Sequence, residues 1–192
     1  MDVEIGPASH NNPAFDTRPP IAKYARMFIA HLPAGYLASD LLAPMEGNRR
    51  HLILAGTLAS GLPDLDLLWF YFVDNRQTAH HEYIFHWPLF WIALAGAAWM
   101  ISSIIGRETW RPYILVTLAC LLLHMVLDSF AAEIYWLQPF SDVHLNAVAV
   151  PARHNWWVWN FVLHWTFAAE IAICLAASIL FFHRKRRKNT SG

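Results

Sequence analysis

Five apolar stretches, at about 24–43, 52–73, 87–106, 112–137 and 156–182, reach the roughly 20 residues that a helix needs to cross a bilayer. This constrains the chain more than any single motif. The expected architecture is all-α: a polytopic transmembrane bundle of about five membrane helices joined by short loops. The third stretch carries no charge. The second is broken by Gly61-Leu62-Pro63-Asp64-Leu65-Asp66.

Composition agrees. Of 192 residues, 56% are hydrophobic and 15% are charged, against about 45–50% and about 25% in soluble domains. Disorder, collagen and coiled coil are excluded on the same grounds. A net charge of zero argues against a nucleic-acid partner. Cys120 and Cys174 both lie in apolar stretches and read as small buried hydrophobes, with no disulfide framework.

The chain divides into three parts. Residues 1–20 are polar and proline-containing, lack the pattern of a cleavable signal, and are expected to be disordered. Residues 21–183 form a single transmembrane domain. Residues 184–192 form a basic tail. Cytoplasmic loops are enriched in Lys and Arg, so the run His183-Arg184-Lys185-Arg186-Arg187-Lys188 is expected to lie in the cytoplasm with the C-terminus. Counting back through five spans places Arg49, Arg50, Arg107 and Arg111 inside too. Lys23 and Arg26 argue weakly the other way, and a re-entrant second segment is the rival topology.

Eleven histidines do not fit a plain anchor. His31, Asp64, Asp66, His124, Asp128 and His164 interrupt apolar runs, and each such residue costs about 2.5–3.5 kcal/mol on insertion scales. They must be paired, hydrated or bound to metal. At about 1.5 Å per residue, His31 lies roughly 12 Å below the outer end of its helix, the Asp64 pair roughly 10–14 Å and the His124 pair roughly 14–20 Å. Antiparallel order thus brings them together in one outward-facing cavity. His124 and Asp128, four apart, share a helix face. The break at Gly61 and Pro63 lets Asp64 and Asp66 both aim inward, a distortion tolerated where it lines a cavity. The segment His80-His81-Glu82-Tyr83-Ile84-Phe85-His86 adds three imidazoles.

Imidazoles and carboxylates without thiolates suit zinc first, then manganese or iron, as one or two ions. Two ions about 3.5–4 Å apart are a recurrent device in phosphoester hydrolysis. The expected ligands are His31, Asp64, Asp66, His86, His124 and Asp128. His80 and His81 are the catalytic candidates, one of which can instead complete the shell. Simpler readings stand beside these. His164 reads as a packing residue, His31 as a partner of the Pro33 kink, and Asp64 with Asp66 as a helix cap. Glu170 reads as a partner for a neighbouring helix. Trp87, Trp136, Trp156 and Trp157 read as an interfacial belt.

These motifs, in this order over about residues 27–141, resemble the inner-membrane-associated metal-dependent hydrolases often labelled LexA-binding. That family carries an early His, here His31 in His31-Leu32-Pro33, then a Pro-Asp-x-Asp element, here Pro63-Asp64-Leu65-Asp66. A His-rich stretch follows, here His80 to His86, and then a His-x-x-x-Asp helix, here His124 to Asp128. Pro139-Phe140 matches the closing segment. Phe85 stands where the family has Thr. The resemblance implies metal binding and names no substrate.

The leading expectation is a hydrolase acting on a phosphoester, or another ester, of a lipid or lipid-linked substrate. A metal or proton transporter using the same cluster is one alternative. A regulatory membrane protein that binds a partner through its basic tail is the other.

Overall fold

The computed structural model describes residues 29–190 except 45–47, 76, 79, 131, 149, 150, 152 and 155. The segment expected to be disordered, 1–20, lies outside the described residues, as do Lys23 and Arg26. Seven α-helices are described: α1 (His31–Leu42), α2 (Arg49–Ala59), α3 (Asp66–Phe72), α4 (Pro88–Ile104), α5 (Arg111–Asp128), α6 (Trp157–Val162) and α7 (Trp165–Thr190). The β-structure among the described residues is one isolated bridge, Ile134 to Leu145.

The expected count of five membrane helices is corrected. Two helices are long and apolar enough to cross a membrane, Glu108–Asp128 and Trp165–Arg187, and the bent pair Arg49–Ala59 with Pro63–Phe72 makes a third if taken as one span. The other two apolar stretches form helices of 12 and 17 residues, about 18 Å and 26 Å long against a hydrocarbon core of about 30 Å. Prolines set these limits. Ala43 is extended before Pro44, because the proline ring disfavours a helical residue ahead of it. Pro88 opens α4 at its first position, where its missing N–H is harmless.

The bundle buries a polar cluster beside a hydrophobic core and exposes large apolar side chains. His31, Asp66, His86, His124, Asp128 and Glu170 are buried, while Leu41, Phe72, Ile104 and Ile179 are exposed. Only 28% of the apolar stretch of Glu108–Asp128 and 17% of that of Trp165–Arg187 are buried. Exposed apolar surface on this scale fits a lipid surround.

Helices α1, α2 and α5 meet closely through small residues, the usual solution where lipid supplies no hydrophobic drive. A Cβ on Gly56 would lie 2.2 Å from Ser39 Oγ and 2.7 Å from Val116 Cγ1. Ser39 Oγ donates to the Gly35 carbonyl at 2.6 Å and lies 3.3 Å from Cys120 Sγ. Cys120 is buried as expected, whereas Cys174 is partly exposed. Gly56→Val is therefore expected to lower stability by about 1–3 kcal/mol through overpacking, read as a lower melting temperature in detergent. An unchanged melting curve would contradict the tight α1–α2–α5 junction.

Candidate metal centre

Four connections converge at one end of the bundle. The first turn of α1 brings His31, and the break between α2 and α3 brings Asp64 and Asp66. The lead-in to α4 brings His81 and His86, and the last turn of α5 brings His124 and Asp128. The antiparallel alternation read from the sequence is present. These groups stand at helix ends, not partway along five long helices, because α5 stops at Asp128 and α1 is described from His31.

Asp128 is the hub. Its Oδ2 lies 2.9 Å from His124 Nε2, 3.6 Å from His86 Nε2 and 3.8 Å from His81 Nε2. Its Oδ1 lies 3.1 Å from His31 Nε2. Asp64 flanks the group, 3.7 Å from His31 Nδ1 and 3.8 Å from His124 Nε2. Three overlapping sets have donor atoms within 4.8 Å of one another: His31, His124 and Asp128; Asp64, His86 and His124; His81, His86 and Asp128. The rings of His31 and His124 stack at 3.9 Å and 25°, which turns both toward Asp128.

Two imidazoles are held from behind. Pro63 cannot supply the N–H that would continue α2, and the break leaves the Ser60 carbonyl outside a regular ladder. His124 Nδ1 donates to that carbonyl at 2.7 Å. A carbonyl only accepts, so the proton sits on Nδ1 and the Nε2 lone pair faces the cluster. His86 Nδ1 likewise donates to Asp66 Oδ2 at 2.5 Å. Asp66 thus lies behind His86 and belongs to none of the three sets. A carboxylate backing a histidine in this way is the usual outer support of a metal ligand.

Tryptophans fix the segment that carries His81 and His86. Trp91 Nε1 donates to the Phe85 carbonyl at 2.7 Å and Trp87 Nε1 to the Glu82 carbonyl at 3.0 Å. Trp136 Nε1 donates to Ser129 Oγ at 3.0 Å, next to Asp128. Trp87 and Trp136, read from the sequence as interfacial, here clamp the site.

The donor set fits a divalent cation. His31 Nδ1 and Nε2, His124 Nε2 and Asp128 Oδ2 are buried and face one another, His124 Nε2 and Asp128 Oδ2 at 2.9 Å and His31 Nε2 and Asp128 Oδ1 at 3.1 Å. Imidazole nitrogens and carboxylate oxygens at this spacing can hold a divalent cation. His86 sits in the connection before α4, outside the spanning helices. Burial acts to lower its pKa, but the carboxylates of Asp128 and Asp66 outweigh this and push it up to about 9. Asp64, 31% exposed on its side chain, stands at the rim and gives the pocket a mouth.

The remaining histidines stand apart. His164 Nδ1 pairs with Thr166 Oγ1 at 2.9 Å, in the break between α6 and α7. His144 lies 3.9 Å from Glu133. The backbone N–H of His154 donates to Asn160 Oδ1. The side chain of His80, a catalytic candidate, lies outside the described residues. His81, the other, is buried beside Asp128. Sequence reasoning missed the Ser60 carbonyl, although a carbonyl three residues before a mid-span proline is the signal that finds it. Glu170 is fully buried, and its Oε2 accepts the Ile29 N–H at 2.9 Å just before α1.

The family model described as YdjM inner membrane protein matches residues 27–189. No curated protein and no solved structure matches the chain.

Proposed function

The chain belongs to the YdjM inner membrane protein family, and from that premise we propose that it is a metal-dependent hydrolase acting on a phosphoester, or another ester, of a lipid-like substrate. One observation carries the reading: four imidazoles surround the buried Asp128 carboxylate, with ring nitrogens 2.9–3.8 Å from its oxygens. His31, Asp64, His81, His86, His124 and Asp128 would hold one or two ions, zinc first by donor type. A divalent ion there would supply Lewis-acid polarisation of a phosphoryl oxygen and a water acidic enough to act near neutral pH.

The protein's own groups do the rest. Ser60 and Asp66 fix the tautomers of His124 and His86. Asp64, at the rim, is placed to accept a proton from an incoming water. His80, on the neighbouring turn, remains the candidate acid for the leaving group. The apolar outer face around Leu62 and Leu65, beside Asp64, suits a substrate delivered from lipid. Orientation follows from the basic residues, with the C-terminus cytoplasmic and the site facing outward.

A transmembrane relay has less support. It needs a titratable group in the opposite half, and the candidate there, Asp40, is held by Arg49 at 2.9 Å and Arg184 at 2.8 Å.

Zinc-loaded protein in detergent, assayed on phospholipids and polyprenyl phosphates, is expected to release product. His124→Ala should lower the rate at least a hundredfold, beyond the about 10–100-fold that outer-sphere changes cost. Metal-loaded protein inert across the panel would sink the hydrolase reading and leave the ion a structural role.

A further inference from the structure

The opposite end of the bundle carries a second cavity, of about 770 Å³, between α1, α2 and α7. Its charge is one-sided. Arg49, Arg50, Arg184 and Lys185 face a single carboxylate, Asp40. Asp40 is buried and engages both Arg49 and Arg184. Arg49 is fixed further by donating to the carbonyls of Asp40, Ala43 and Pro44. These pairs hold two guanidinium groups in place at the cavity wall.

Arg50 and Lys185 have no acidic partner among the described residues, and both are exposed. His51 lies beside them. Helix α2 begins here without a side-chain cap from Asn48, so its positive end adds to the field. Tyr36, Ile53 and Phe181 complete the lining, with the Tyr36 and Phe181 rings edge to face at 6.2 Å.

A cavity lined both by surplus cations and by aromatic and aliphatic side chains matches an amphiphile with an anionic head. Basic pockets between membrane helices take phosphate headgroups for this reason. A free phosphate would use the cations and leave the apolar wall idle. We propose that this cavity binds the phosphate headgroup of an anionic membrane lipid, at a site separate from the His/Asp cluster. Arg49 and Arg184, preset by Asp40, grip the phosphate, and Arg50 and Lys185 supply the attraction. The glycerol end of the lipid lies against Tyr36, Ile53 and Phe181.

The test uses the full chain in detergent. Binding of short-chain phosphatidylglycerol, phosphatidylcholine and inorganic phosphate is compared by native mass spectrometry and titration. The double variant Arg50→Gln with Lys185→Gln leaves the Asp40 pairs intact. Phosphatidylglycerol is expected to bind in preference to phosphatidylcholine and to weaken about 30-fold in the double variant, at about one charge's worth of attraction per cation. Melting temperature and metal content should stay at wild-type values. If the double variant melts early, the two single changes are read instead, each expected to weaken binding about fivefold. Equal binding of the two lipids would overturn the proposal. So would binding that the charge changes leave unaltered, or inorganic phosphate binding as tightly as the anionic lipid.

Discussion

Stripping the purified protein of divalent metal is expected to lower its unfolding free energy by about 4 kcal/mol, if the free ion had stood near a thousand times its Kd. For a chain of this size that is a fall in melting temperature on the order of 10 °C. The cause is local. Without an ion, the Asp128 carboxylate stays desolvated, faced by His31 at 3.1 Å and His124 at 2.9 Å with no divalent charge beside it. Returning zinc should restore the wild-type transition. Asp128→Asn should melt low and respond weakly to zinc, because the residue shared by two of the three donor sets loses its negative charge. A wild-type protein whose melting is indifferent to chelator and to added zinc would contradict the fit of the cluster to a cation.

Asp66→Asn carries the second large effect. Its carboxylate accepts from His86 Nδ1 and so sets which ring nitrogen faces Asp128. Outer supports of this kind change metal affinity about 10–100-fold. The amide oxygen of Asn still accepts a hydrogen bond but withdraws the charge, so the loss should lie toward the lower end of that range. Competition with a chelator of known affinity reads it directly. Undiminished zinc affinity would remove the positioning role. Complete loss of bound zinc would put Asp66 among the ligands, as the bare Asp-x-Asp spacing had led us to expect.

Much of the site was legible because it rests on local geometry. His124 and Asp128 share a face by helical period alone, and they are neighbours in the fold. The Gly61-Leu62-Pro63 break was visible as a local interruption, and a bend of 47° separates the two helices there. What the sequence does not carry is the choice of distant partner. Asp64 and Asp66 look equivalent in a Pro-Asp-x-Asp string. Only the packing of the His86 turn puts one at the rim and the other behind a ring. The Ser60 carbonyl has no side-chain signature. Trp87 and Trp136 match a membrane belt in pattern, and hydrogen bonding to Glu82 and Ser129 gives them another task.

The span count failed for a related reason. Hydropathy measures how apolar a stretch is, not where its hydrogen-bond ladder stops. Residues 112–137 read as one segment, yet the helix ends at Asp128. There the Ser129 carbonyl accepts from the distant Ala147 N–H at 2.7 Å, and the chain leaves the helix. The cations near Asp40 and the His/Asp cluster occupy opposite ends of α1 and α2.

The central claim is that the cluster around Asp128 holds a divalent metal. Metal analysis of the full chain purified in detergent without added chelator, wild type beside Asp128→Asn, tests it most directly. The account predicts one to two equivalents of divalent metal, chiefly zinc, in the wild type and less than a tenth of that in the variant. Wild-type protein free of metal, and unable to take it up, would contradict the account, as would equal metal in both proteins.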